Sequence, residues 1–303
     1  MANSTRFDSF IAEEVNKYQG KLVPVKASVL ERIFVRYVAC TKLHPNPYDE
    51  FSDASIGPNY EIISGYEHRI KESRAHGDPA WDDPILVEKM LPEGYLILNG
   101  HHRWAAATRF GEKRVGVKIV NLTQETDIKK MLEISRHDRR VAIDLDEVIF
   151  FQNDADGSGN AAEDPLHFPY NKLFKERLKT GVPALLHYLS VNGYDIWVYT
   201  SEYYSMDYIN KLFKMYHVVV NGIITGIKRP HKIEASKRRE LEKIMNAKYT
   251  ETLHIDNGLV LLTHSDSKDF EEFDLSGNRE TWAQEIMNTL KELRSKEATG
   301  KDE

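Results

Sequence analysis

The sequence predicts a two-domain α/β protein, in which a small α+β domain precedes a domain built on a parallel β-sheet. The length of 303 residues is that of about two domains. From Arg140 onward, apolar strand-like segments alternate with helix-like segments, which is typical of strand–helix–strand crossovers. Upstream, shorter apolar runs flank a single Asn99-Gly100 turn that opens a helix.

Composition and charge argue against several classes of protein. The chain is 41% hydrophobic and 29% charged and has no apolar run of about 18 residues, so membrane insertion is not expected. The N-terminus lacks the apolar core of a secretory signal, and the single Cys40 rules out an internal disulfide framework, so a cytoplasmic location is expected. A net charge of -6 disfavours nucleic acid as a partner, although Lys237–Arg239 is either a local basic patch or a solvated helix face.

The N-terminal domain is predicted over residues 1–122. Two prolines interrupt Leu43–Glu50, which therefore forms neither a helix nor a central strand. The expected helices are Phe7–Tyr18, Tyr66–His76 and His101–Phe110, and the expected strands are Val23–Val29, Ile33–Cys40, Ile85–Leu91, Tyr95–Leu98 and Val115–Val120.

A connecting helix is predicted within residues 123–139, with the second domain over 140–296 and a disordered tail over 297–303. The polar, glycine-containing segment Gln152–Glu163 is predicted to form a mobile flap. The expected strands of the second domain are Val141–Leu145, Asp195–Tyr199, Val218–Ile224 and Thr252–Ile255, and its expected helices are Pro183–Asn192, Ser205–Tyr216 and Ile233–Asn246.

Two aspartates, Asp144 and Asp146, end the first strand of the second domain. Carboxylates at positions i and i+2 of a strand point the same way, so they can share a cation. Open α/β sheets place their sites at the carboxyl ends of strands, and two later strands end in Thr200 and Asp256. The alternative is a pair of solvated turn carboxylates.

Together with the basic cluster Lys228–Lys232, these residues resemble the haloacid dehalogenase-like superfamily over roughly Arg140 to Leu293. The resemblance implies a Rossmann-like domain that hydrolyses a phosphorylated substrate through an aspartyl-phosphate, with Mg²⁺ as cofactor. It makes Asp144 the nucleophile and Asp146 the acid/base. It makes Thr200 the hydroxyl that holds the phosphoryl group, and Lys228 or else Lys232 the neutralising cation. The implied Mg²⁺ ligands are Asp144, the backbone carbonyl of Asp146, and Asp256, with Asp266 or Asp269 as substitutes for Asp256.

A second constellation lies in Ile97–Ala107, where an apolar strand leads through a glycine turn to two histidines and an arginine at a helix N-terminus. Unpaired backbone N–H groups and the helix dipole attract anions there, and Arg103 is able to bind a phosphate through two donors. The following alanines allow the helix to pack close to a sheet.

This run resembles the ParB/sulfiredoxin fold over roughly Val23 to Leu122. Members of that fold bind ATP, ADP or CTP, which implies nucleotide contacts at Gly100, His101, His102 and Arg103. Sulfiredoxin activity is not expected, because that enzyme's cysteine falls at His101 and Cys40 lies elsewhere. A partition role is also disfavoured, because no ParB-type DNA-binding domain follows.

The Gly-His-His-Arg form is closest to the free-serine kinases of this fold, whose base is a glutamate in a Pro-rich loop. Glu50 is the candidate here, with Asp49 as the alternative. Simpler interpretations are Glu50 as an ordinary loop carboxylate, His101 as a helix cap and Trp104 as a core aromatic rather than a base-stacking platform.

Three functional hypotheses follow from these two constellations. The first is a phosphatase coupled to a nucleotide-binding domain. The second is an ATP- or ADP-dependent kinase of serine-like molecules or polyols, located in the N-terminal domain. The third is a nucleotide-gated module that binds nucleic acid or protein.

Overall fold

A computed structural model describes residues 2–18, 21–53, 55–151, 162–226, 242–256, 259–267, 270–275 and 281–299. The chain divides into two compact units, Met1–Leu122 and Thr123–Glu303. None of the helices in the described ranges is long and apolar enough to cross a membrane. Several predictions lie outside the described residues, namely those for Lys228, Lys232, Lys237–Arg239, Asp269 and most of the flap.

The first unit contains one mixed sheet. Its helices are α1 (Ala2–Tyr18), α2 (Val29–Ile33), α3 (Tyr60–His76) and α4 (His101–Phe110), and its strands are β1 (Val23–Pro24), β2 (Arg36–Ala39), β3 (Leu43–His44), β4 (Ile85–Leu91), β5 (Tyr95–Asn99) and β6 (Arg114–Val120). The strand order is β2-β6-β4-β5-β3, with β1 paired to β4. β6 runs parallel to β4, and β3 runs parallel to β5.

Most residues of helix α4 are buried, and the bounds of this helix are those predicted. Its Ala105, Ala106 and Ala107 have no exposed surface, so their small side chains let the helix lie close to its neighbours. Trp104 is 1% exposed, and its ring Nε1–H donates to the Cys40 carbonyl at 3.2 Å. Trp104 is therefore a core aromatic and not a base-stacking platform.

The strands predicted at Val23–Val29 and Ile33–Cys40 are both shorter in the structure, and a helix that was not predicted lies between them. Strand β1 has only two residues, and Val29–Ile33 forms the short helix α2. The reason is a capping box, in which the Ser28 side chain accepts the Glu31 amide and the Glu31 carboxylate accepts the Ser28 amide. These two hydrogen bonds favour helix over extended backbone.

The second unit is built on a six-stranded sheet. Its helices are α5 (Glu125–Ile134), α6 (Tyr170–Leu173), α7 (Val182–Val191), α8 (Met206–Met215), α9 (residues 242–248) and α10 (Trp282–Thr299), and its strands are β7 (Arg139–Asp144), β8 (Tyr194–Tyr199), β9 (Gly222–Ile224), β10 (Glu251–Asp256), β11 (Leu259–His264) and β12 (Phe270–Asp274). A turn of π-helix follows β7 over Leu145–Ile149. The strand order is β12-β11-β10-β7-β8-β9.

The predicted parallel sheet is confirmed for β10, β7, β8 and β9, whereas β11 and β12 add two antiparallel strands that were not predicted. The chain runs from β7 through β8 to β9 on one side, and it then returns to the other side of β7 at β10. Such a reversal opens a crevice at the carboxyl ends of the strands beside it. In this unit the reversal occurs at β7, whose last residue is Asp144.

Candidate functional site

The carboxyl edge of the second unit's sheet brings together three of the predicted site residues. Asp144 pairs in register with Tyr199, so Thr200 follows on the adjacent strand. Ile143 pairs with Ile255, so Asp144 and Asp256, which follow them, lie on adjacent strands at the same level of the sheet. Neighbouring strands lie about 4.8 Å apart, so these residues occupy one small area.

Asp144 is oriented by the backbone that follows it. Its Oδ1 accepts the amide N–H groups of Asp146 at 2.7 Å and of Glu147 at 2.8 Å. Across the described part of the chain, no hydrogen-bond donor reaches its Oδ2. Two backbone hydrogen bonds therefore fix the carboxylate and leave one oxygen for a ligand or an electrophile.

Asp146 is held by Thr200. The Thr200 hydroxyl, which has no exposed surface, donates to Asp146 Oδ2 at 2.6 Å and accepts the Glu202 amide at 2.9 Å. Burial raises the pKa of Asp146; the hydrogen bond from Thr200 opposes this, and the charge of Asp144 adds to it. A carboxyl group with a raised pKa is suited to proton transfer. In this arrangement Thr200 positions Asp146.

A buried lysine near this edge was not found from the sequence. Lys179 is 7% exposed, and its Nζ donates to the Glu147 carbonyl at 2.6 Å. No sequence motif distinguishes Lys179 from the many other lysines of the chain. Its ammonium group supports the π-helical turn that carries Asp146.

The Mg²⁺ site proposed at Asp144, Asp146 and Asp256 remains a prediction. Within the described ranges, no three His, Cys, Asp or Glu side chains are grouped to hold a metal. The site expected from the resemblance needs only two carboxylates and a backbone carbonyl, and Asp144 and Asp256 supply the hard oxygen atoms that Mg²⁺ prefers.

The second site surrounds Gly100 in the first unit. Gly100 has a φ of +101°, a left-handed conformation that favours glycine, and no side chain caps the start of α4 there. A Cβ at this position would lie 3.0 Å from Arg103 Nη2. The Arg103 guanidinium is thus folded against the turn, where it donates to the Asp83 carbonyl and, at 3.4 Å, to Asn99 Oδ1.

His101 and His102 both bind backbone groups of the loop over residues 46–59. His101 is 4% exposed, and its Nε2 accepts the Asn46 amide at 3.1 Å. His102 Nε2 accepts the Asn59 amide at 3.1 Å. Burial lowers the pKa of His102, and the nearby Asp49 carboxylate partly opposes this effect.

Glu50 lies in the same loop, directly before Phe51. It begins the 3₁₀ turn Glu50–Ser52, which Asp49 caps by accepting the Phe51 amide at 3.0 Å. Phe51 is 2% exposed and packs on the ring of His101, with centroids 5.3 Å apart, and edge-on against His102 at 5.1 Å. The buried Phe51 therefore anchors an exposed Glu50 next to the Gly100 turn.

Residues 30–135 match the family model of the ParB N-terminal domain. The matched residues cover most of the first unit and extend through α5, so this part of the chain is similar to the ParB N-terminal domain. The ATP-dependent L-serine kinase of Staphylothermus marinus is 34% identical over 71 residues, which are 22% of this chain and 27% of that protein. The chain thus matches about a quarter of the length of that curated relative.

Comparisons of structure give only poor superpositions. The chromosome-partitioning protein ParB from Caulobacter crescentus, complexed with CTP-gamma-S, has 25% identity and a TM-score of 0.24, covering 35% of this chain and 55% of that one. A free serine kinase in complex with AMP has 14% identity and a TM-score of 0.23, covering 84% of this chain and 95% of that one.

Proposed function

We propose that the ParB-like part of the chain binds ATP or ADP at the Gly100 turn and transfers a phosphoryl group to a hydroxyl of a small molecule, such as a serine-like compound or a polyol. The observation that supports the proposal is the packing of Phe51, the residue after Glu50, on His101 and His102 at the start of α4. The similarity to an ATP-dependent L-serine kinase supports the same chemistry.

Each group has a role that its surroundings support. The uncapped first turn of α4 offers backbone N–H groups and a positive dipole end to phosphates, and Arg103 adds a cation beside them. Glu50 is exposed, so a substrate hydroxyl can reach it and lose its proton as it attacks. Mg²⁺ bound with the nucleotide would shield the phosphate charges.

Turnover of nucleotide by the full chain tests this proposal. We expect ATP or ADP to be consumed with Mg²⁺ present, and only when an acceptor from a panel of amino acids and polyols is added. A chain that neither binds nor consumes either nucleotide would refute the proposal.

A second function is proposed for the second unit, namely Mg²⁺-dependent hydrolysis of a phosphate ester through an aspartyl-phosphate on Asp144. The resemblance of this unit to the haloacid dehalogenase-like superfamily suggests the reaction. A specific observation favours it: Asp144 is fixed through Oδ1 alone, and Asp146, with a raised pKa, lies two residues away. In this scheme Asp144 Oδ2 attacks phosphorus, and Asp146 protonates the leaving oxygen.

Hydrolysis of a generic aryl phosphate with Mg²⁺ tests the second function. We expect Asp144→Asn to abolish it, because an amide is a poor nucleophile. Asp138→Asn is the matched control, because Asp138 is exposed just before the amino end of the same strand. Full hydrolysis by Asp144→Asn would exclude the phosphatase.

A further inference from the structure

We propose that His101 and His102 position the 46–59 loop and do not themselves bind the phosphates of the nucleotide. The proposal rests on the proposed kinase function, since it concerns the loop that carries Glu50. Both residues are positioning residues in this scheme, and they act through the backbone of that loop.

The two adjacent histidines hold opposite ends of the loop. His101 accepts the amide of Asn46, where the loop begins, and His102 accepts the amide of Asn59, where it ends. Successive residues of a helix point about 100° apart, so neighbours in sequence are able to reach two separated chain segments. Between these ends, Phe51 packs against both rings. The loop is thus attached at its start, its middle and its end.

These hydrogen bonds determine the protonation state of both rings. A backbone N–H group only donates, so Nε2 of each histidine is unprotonated and a neutral ring carries its proton on Nδ1. In His101 this Nδ1 lies 3.5 Å from Asp49 Oδ1. An Nε2 that accepts a loop amide cannot also donate a proton to a phosphate, which leaves the α4 amides and Arg103 for that task.

Protonation of either ring would detach one end of the loop, because two N–H donors would then face each other. The Asp49 carboxylate, on the loop, is a charged group that lies near both rings. Burial opposes protonation of His102 and Asp49 favours it. We therefore expect acidification to reduce kcat by moving Glu50, with little change in nucleotide affinity.

The tautomers provide a test that does not depend on activity. In ¹⁵N-histidine NMR spectra of the full chain near neutral pH, we expect His101 and His102 to show an unprotonated Nε2 and a protonated Nδ1. The single variants His101→Gln and His102→Gln assign the signals. A proton on Nε2 of either residue would overturn the proposal, even in a chain without kinase activity.

Substitution separates positioning from phosphate binding. Glutamine places an oxygen acceptor near the position of Nε2 but does not titrate, whereas alanine has no acceptor. With the acceptor substrate found in the turnover assay, we expect each alanine variant to keep its affinity for ADP and to lose about 100-fold in kcat, the size of loss that a displaced catalytic group produces. The glutamine variants should recover most of kcat and flatten the acid side of the pH profile.

Two outcomes would contradict this scheme. A similar loss of ADP affinity in the glutamine and alanine variants would show that the imidazoles bind phosphate. Wild-type kcat in a folded alanine variant would show that the loop needs no such attachment. Because His101 is buried, His102→Ala and the two glutamine variants keep the test decisive if His101→Ala does not fold.

Discussion

A single hydrogen bond affects the protonation of Asp146 at the site of the second unit. Thr200 is buried and donates to Asp146, and this hydrogen bond stabilises the ionised carboxylate. It was predictable that Asp144, Asp146 and Thr200 lie close together, because the carboxyl ends of parallel strands meet at one edge of a sheet. The hydrogen bond itself was not, since it depends on side-chain rotamers that no sequence pattern specifies.

Thr200→Val tests the role of this hydrogen bond. Valine has nearly the same shape but no hydroxyl, so we expect the pKa of Asp146 to rise further, by about one unit for a hydrogen bond of about 1 kcal/mol. Titration of the Asp146 carboxyl carbon by NMR measures it. Thr263→Val is a control, because Thr263 also lies on the sheet but bonds to Thr252 and His254 instead. An unchanged or lowered pKa of Asp146 would refute this role.

At the scale of elements, local sequence signals were sufficient to predict the bounds of a helix where they agreed with the fold. Helix α4 has its predicted bounds because Gly100 and Gly111 mark its ends. Helix α2 was missed although Ser28 and Glu31 have capping-box spacing, because the apolar run around them resembles a strand. The attachment of the 46–59 loop to α4 was beyond prediction, since its partners are separated by more than 40 residues.

Packing between β8 and β9 requires a glycine. A Cβ at Gly222 would lie 2.1 Å from the ring of Trp197, its fully buried partner in register. We expect Gly222→Ala to destabilise the second unit by at least about 1–3 kcal/mol, the usual cost of overpacking. Gly65→Ala in α3 is the contrasting change, because a Cβ there meets nothing within 4 Å. We expect it to stabilise the first unit by about 0.5–1 kcal/mol. Urea unfolding of both variants measures these effects, and a neutral Gly222→Ala would contradict the packing argument.

For the whole molecule, the two units offer two separate candidate centres of phosphate chemistry. The parallel sheet of one and the ParB-like character of the other were predictable, because strand–helix alternation and the glycine turn are local patterns. Strands β11 and β12 were not predicted, because antiparallel strands break the alternation on which the prediction relied.

The first unit should lose stability in mild acid. His44 is 2% exposed, and burial lowers its pKa from 6.5 to about 4, with a further contribution from Lys17. The unfolded chain takes up this proton below about pH 6.5 and the folded unit only near pH 4, so the free energy of unfolding decreases as pH falls between these values. The loss approaches about 3 kcal/mol, at 1.36 kcal/mol per pKa unit.

Urea unfolding between pH 7 and pH 4, monitored by hydrogen exchange of peptides from the first unit, measures this dependence. We expect His44→Gln to reduce the slope. His68→Gln is the matched control, because the His68 side chain is 72% exposed, and it should leave the slope unchanged. A wild-type slope in His44→Gln would assign the acid sensitivity to other groups.

The proposed role of Glu50, which precedes the Phe51 packed at the N-terminus of α4, is that of the base in a nucleotide-dependent phosphotransfer. Its most direct test is the rate of phosphoryl transfer by Glu50→Gln, beside the binding of ADP to the same variant. We predict a loss of at least about 100-fold in kcat with unchanged ADP affinity, as expected for removal of a general base. Glu13→Gln, which alters an exposed carboxylate of α1, should behave as wild type. Full phosphotransfer by Glu50→Gln would contradict the account.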